Sequence, residues 1–147
     1  MKEFTRLDRL LSLRRQEELR RAAELQEALR VLNEASDGVG SLEAQRAEIE
    51  GLSAVTEKQS VWHMKTLLLL VERVDRDLQS ARTAFTSAEQ FVSSKREELA
   101  SALQDSDTLE RVIEPRRAAA EQHRRRTEQK QEDAQASLCT RGFRGAV

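Results

Sequence analysis

His63 and His123 are the only histidines in the chain, and Cys139 is its only cysteine. Metal or nucleophile chemistry needs such groups to converge. Ligand pairs on a helix sit three or four residues apart, and a reactive thiolate needs a cationic or basic neighbour. The two histidines are sixty residues apart, and neither has a second ligand at helical spacing other than ordinary carboxylates. Serine, aspartate and glutamate are plentiful, yet there is no glycine-rich phosphate loop and no nucleophile elbow. The sequence therefore reads as a non-enzyme with no catalytic residue, cofactor, metal or small-molecule substrate. The basic stretch "HRRRTEQK" (123–130) has no interleaved aromatic residues, so it fits a solvated face or a protein contact better than nucleic acid. What remains is binding chemistry, in two places: this basic stretch, and the apolar run Leu67-Leu68-Leu69-Leu70-Val71 with Val61 and Trp62 just before it.

The elements that would position these residues follow from composition. The chain has 147 residues, 35% charged and 3% aromatic, with one proline, no tyrosine and a net charge of −1. Ala, Glu, Arg, Leu and Gln dominate, the signature of a long helix or coiled coil. With so few large side chains a thick core is excluded, and a thin seam between helices is the alternative. One cysteine excludes an internal disulfide and fits a reducing compartment. The N-terminus lacks the apolar core of a signal peptide, and the leucine run is far short of the roughly 20 residues of a membrane helix. These features predict a soluble cytoplasmic protein.

Two seven-residue repeats, with positions lettered a to g, organise the chain. With Phe4 at a, the first places Phe4, Leu11, Glu18, Leu25, Leu32, Val39 and Arg46 at a. Its d series is Leu7, Arg14, Arg21, Ala28, Ala35, Leu42 and Ile49. The second runs through Met64, Val71, Leu78, Phe85, Val92, Leu99, Ser106 and Ile113 at a. Its d series is Leu67, Val74, Ala81, Ala88, Lys95, Ala102 and Leu109. Sustained repeats with charged flanks predict a coiled coil. "EGLSAVTEKQS" (50–60) loses the pattern and reads as the bend, with Thr56 or Ser60 as cap of the next helix. Gly38 and Gly40 look like a stop, but Val39 and Leu42 keep the phase, which favours a continuous, strained helix.

The expected fold is thus all-α: a single antiparallel two-helix coiled-coil hairpin whose longer second helix overhangs at the open end. Helix one covers about 3–52, the bend 53–60, helix two about 61–138, and a frayed tail 139–147. Facing positions whose numbers add to 113 match large with small residues, such as Leu25 with Ala88 and Ala28 with Phe85. They also set Glu18 against Lys95 and Phe4 against Leu109. A sum of 120 would put Leu25 on Lys95. In the 113 register everything after about residue 110 overhangs. Pro115 predicts a kink or break there. Residues 110–147 carry nine basic and six acidic side chains, and residues 36–109 carry eight and thirteen, so the open end is basic and the bend end acidic.

In this phase Trp62 and Leu69 fall at f, Leu68 at e and Leu70 at g. Trp62 and Leu69, continued by Val61 and Leu68, form an outward apolar strip, either covered by helix one or the bend or left as a docking surface.

At these residues the chain resembles the FliJ family of the bacterial flagellar (type III) protein-export apparatus, which is related to the stalk proteins of virulence-type secretion systems. The resemblance lies in the opening Phe-x-x-Leu followed by "LRRQEELRRAAELQEALRVL", and in the post-bend "LLLLVERVDRDL". It also lies in "ERVIEPRRAAAEQHRRRTEQKQEDAQA" with its EQK-x-x-D pattern at Glu128-Gln129-Lys130 and Asp133. Pro115 and the Gly38/Gly40 pair depart from the family's uninterrupted helices. The resemblance implies a stalk inserted in the hexameric ring of the export ATPase, promoting its activity. It also implies links to the membrane export gate and to export chaperones, and thereby a role in flagellum biogenesis, motility and chemotaxis. The expected location is the cytoplasmic face of the membrane, held peripherally through the apparatus. On this reading Arg116, Arg117, Arg124, Arg125, Arg126 and Lys130 meet the ring, and Trp62, Leu68, Leu69 and Leu70 meet the gate. The alternative is a structural or adaptor coiled coil of another bacterial assembly.

Overall fold

In a computed structural model the chain is an all-α hairpin of two long helices, α1 (Lys2–Val55) and α2 (Val61–Arg144), packed against each other. The structure describes the backbone of residues 2–55 and 60–144 and the side chains of 5–54 and 60–142. The expected contact of Phe4 and the capping option at Thr56 lie outside those residues. Ser60 is the cap of α2: its hydroxyl accepts from the amide of His63 at 3.4 Å, and its carbonyl from that of Met64 at 3.2 Å. The hydroxyl thereby satisfies one of the amides that a helix start leaves without a partner.

The chain forms two compact units, residues 16–103 and residues 1–15 with 104–147. In the first, the buried residues are Ala28, Val74, Leu78, Ala88 and Val92; in the second, Leu11, Ser106 and Ile113. All eight occupy a or d positions, so the heptad phase read from sequence is the phase of the seam.

The register is one heptad away from the expected one. In the 16–103 unit Arg21 Nη1 donates to Glu98 at 2.6 Å, Lys95 Nζ to Glu24 at 3.1 Å and Arg82 to Glu43 at 3.4 Å, and Arg46 lies 3.2 Å from Asp75. In the other unit Arg15 donates to Glu110 at 2.7 Å, and Arg117 to Asp8. These pairs bracket facing a and d positions that add to 120, not 113. Glu18 therefore does not face Lys95, and Leu25 is the residue level with it. The mismatch feared for that register is absent because Lys95 directs its ammonium out of the seam to Glu24 and to Glu98, 3.2 Å away.

The helices run through both sets of breaker residues, as expected at Gly38 and Gly40 and against the expected interruption at Pro115. The α-helix continues through Gly38 and Gly40, with no positive φ. Val39 and Leu42, half-buried on either side, hold the turn in place. α2 also continues through Pro115, contrary to a break there. Pro115 is at c, on the exposed side, and the carbonyl it deprives of a partner, that of Arg111 at f, can be hydrated instead. The helix then runs on through residues 139–144, which the sequence had assigned to the frayed tail.

Two predictions follow from this packing. With Cys139 replaced by Ser, cysteines at positions 28 and 92 should oxidise to an intrachain disulfide, read as a mobility shift on non-reducing gels. Cysteines at 28 and 85 should oxidise much more slowly, and equal rates would contradict the register. A Cβ at Gly38 or Gly40 meets nothing within 4 Å. Gly38→Ala should therefore stabilise the chain by about 0.5–1 kcal/mol in urea denaturation.

Candidate functional site: two interaction surfaces on the hairpin

The first surface is at the bend. Trp62 is 72% exposed, and Leu68, Leu69 and Leu70 are also exposed. Neither α1 nor the described part of the bend covers them. Trp62 packs edge-on against His63, ring centroids 5.9 Å apart. Beside them a cavity of about 410 Å³ is lined by Ile49, Ser53, Val61, Met64, Leu67 and Leu68, among others. Met64 was expected in the seam, but it is 64% exposed. The shifted register explains this: the level of Met64 lies past Val55, where α1 ends. Sequence reasoning missed Met64 and Ile49 as parts of this surface, and the signal that would have found them is the register.

The second surface is the α2 extension. Arg117 pairs with α1 through Asp8. Every described side chain from 114 to 142 is exposed. The overhang thus begins near residue 118 instead of 110, and residues 118–144 extend roughly 40 Å at 1.5 Å per residue. The stripe that is apolar upstream becomes Arg116, Ala120, His123, Thr127 and Lys130, so it has little to bury. Arg125 pairs within the helix with Glu121 at 2.8 Å, and Arg124 with Glu128 at 3.7 Å. Arg116, Arg126 and Lys130 meet no carboxylate among the described residues. Of the six basic residues assigned to ring contact, Arg124, Arg125, Arg126 and Lys130 lie on the extension, Arg116 precedes it, and Arg117 belongs to the hairpin's own ion pairs.

In the seam of the 16–103 unit, an ionic cluster joins the two helices. Glu17, Arg21, Glu24, Lys95 and Glu98 bridge one another, and Lys95 also lies 5.2 Å from the centre of the Phe91 ring. The Lys95 side chain is only 18% exposed. Its bonds to Glu24 and then Glu98 raise its pKa above the ordinary 10.5. The bond from Lys95 lowers the Glu24 carboxyl below the ordinary 4.5, and the bond from Arg20 does the same for Glu17.

The chain folds as a two-helix coiled-coil hairpin, and no helix among the described residues is long and apolar enough to cross a membrane. Its sequence matches the family described as flagellar FliJ protein over residues 1–142, nearly the whole chain. The chain belongs to the FliJ family, and is thus a component of the flagellar protein-export apparatus. No curated protein and no solved structure matches it.

The pKa directions set a pH dependence. Carboxyls with lowered pKa stabilise the fold above their ordinary range, and that stability is lost as pH falls through their folded values. A lysine with raised pKa stabilises below its ordinary range, and that stability is lost as pH rises through its folded value. The melting temperature, followed by circular dichroism, should therefore be level near neutrality and fall on both sides, below about pH 4.5 and above about pH 10.5. Glu24→Gln should blunt the acid limb. A profile flat to pH 3 would contradict a structural role for the cluster.

Proposed function

We propose that this chain is a non-enzymatic stalk of the export machinery. The α2 extension enters the central hole of the export ATPase hexamer and promotes its turnover. The bend end reaches the membrane export gate, and the chain also engages export chaperones. It would reside in the cytoplasm, peripheral to the membrane through these contacts.

The observation that carries the reading is the extension itself: a long helix, exposed on all sides, with a polar stripe where a seam would be. Isolated helices draw most of their stability from tertiary packing. Among the described residues the extension packs against no other part of the chain, and it would gain that support by entering something that surrounds it. Arg116, Arg124, Arg125 and Arg126 would then face acidic or carbonyl-lined surfaces of successive ring subunits, with Lys130 further along. At the other end, Trp62, Leu68, Leu69, Leu70 and Met64 offer the gate an apolar surface, the kind of buried anchor that dominates protein interfaces.

Deleting residues 118–147 should leave the melting temperature nearly unchanged and bring ATPase turnover back to that of the ring alone. Arg124, Arg125 and Arg126 changed together to Glu should do most of the same. Leu69→Asp should keep ATPase stimulation and the melting temperature while weakening capture of the gate's cytoplasmic domain at least ten-fold. Full stimulation by the truncated hairpin would favour the adaptor reading instead.

A further inference from the structure

We propose that the outer face of α2 next to the bend pairs with the same face of a second copy of this chain, antiparallel, about a two-fold axis between Leu68 and Leu69. On this face the e column holds Val61 and Leu68, and the f column holds Trp62 and Leu69. All four are between 62% and 72% exposed. The b column runs between e and f and carries Lys65 and Glu72. At about 100° per residue, e, b and f occupy less than a third of the helix circumference, on the side turned away from α1. Lys65 and Glu72 are exposed. Neither meets an opposite charge among the described residues.

The spacing of these groups makes the face complementary to itself. Lys65 precedes Leu68 by three residues, and Glu72 follows Leu69 by three. A two-fold axis through the midpoint therefore sets Lys65 of each copy opposite Glu72 of the other. In such an isologous contact every pair forms twice. Leu68 then meets its own counterpart, and so does Leu69. Trp62 and Arg76 lie in the f column, seven residues to either side of Leu69. The indole of each copy thus receives the guanidinium of the other, a cation–π contact. Arg76 is exposed and meets no carboxylate among the described residues. Val61 falls opposite Asp75, whose carboxylate is already turned to Arg46 of its own chain at 3.2 Å. A parallel pairing would instead set Lys65 on Lys65 and Glu72 on Glu72, so charge selects the antiparallel one.

The contact spans residues 61–76, on the order of 24 Å of helix. One helix against one helix over that length buries less than the roughly 800 Å² per partner of a stable complex. The dimer is therefore weak and reversible. Trp62, Leu68 and Leu69 are also the residues proposed above for the gate. The second copy would cover them in the free chain and yield them when the gate competes.

The test is sedimentation equilibrium of the full chain, with Cys139 replaced by Ser, over a concentration series reaching the high micromolar range. The expected result is a mass that rises from monomer toward dimer and no further. Lys65→Glu alone and Glu72→Lys alone should each weaken association at least ten-fold, because each sets like charges opposite one another. Both groups are exposed, so melting followed by circular dichroism should stay unchanged. An equimolar mixture of the two single variants should associate again, since each chain then offers the other only opposite charges. The chain carrying both reversals should associate with itself. A monomer at every concentration overturns the proposal. So does an association that the single reversals leave unchanged, or a mixture of the two variants that stays monomeric. No readout uses the ATPase or the gate, so this inference and the stalk reading can fail separately.

Discussion

Two helices can bury only the stripe that each turns toward the other. In this chain the stripe is narrow, and all eight buried residues among those described, from Leu11 to Ile113, sit on it. The rest of the surface faces outward, so the sequence can place apolar or charged groups there without disturbing the fold. That freedom explains the adjacent leucines 67–70. Leu67 turns partly into the seam, whereas Leu68, Leu69 and Leu70 stay exposed.

A one-stripe seam leaves little margin for polar residues within it. Lys95, Arg21 and Arg46 all occupy a or d positions. Each is long enough to lay its aliphatic stem along the seam and carry its charge to a carboxylate at the edge. The seam thus gains packing at these levels, and the charge stays partly hydrated and paired. Glu24 and Glu98, flanking Lys95 from both helices, do this where the apolar series is weakest.

The heptad phase, the position of the bend and the Ser60 cap were legible in the sequence because each depends on local pattern. The register was not. Size alternation repeats every seven residues, so Ala28 can stand level with Phe85 or with Val92 and fill the seam either way. The discriminating information lay in edge charges, such as Glu24 with Lys95 and Arg15 with Glu110. Facing a and d positions alone do not sample them. The error moved the start of the overhang from 110 to 118, gave Arg117 a partner in Asp8, and hid Met64 from the bend surface. Among the breakers, Pro115 misled for a related reason, whereas continuity through Gly38 and Gly40 was legible from Val39 and Leu42. Their cost of about 1–3 kcal/mol per residue is a local quantity, and burial of their neighbours, or exposure on the solvent side, decides whether the helix yields.

The hairpin packs against itself, and the described part of the extension does not. Amide hydrogen exchange on the dilute chain in 500 mM salt measures this contrast directly. Amides of α1 and of α2 up to about Arg117 should be protected together, at the level of global unfolding, and those of residues 118–144 should exchange close to the rate of an unfolded chain. Equal protection along the whole of α2 would mean that the extension is supported by the chain itself, and would contradict the claim that it awaits a partner.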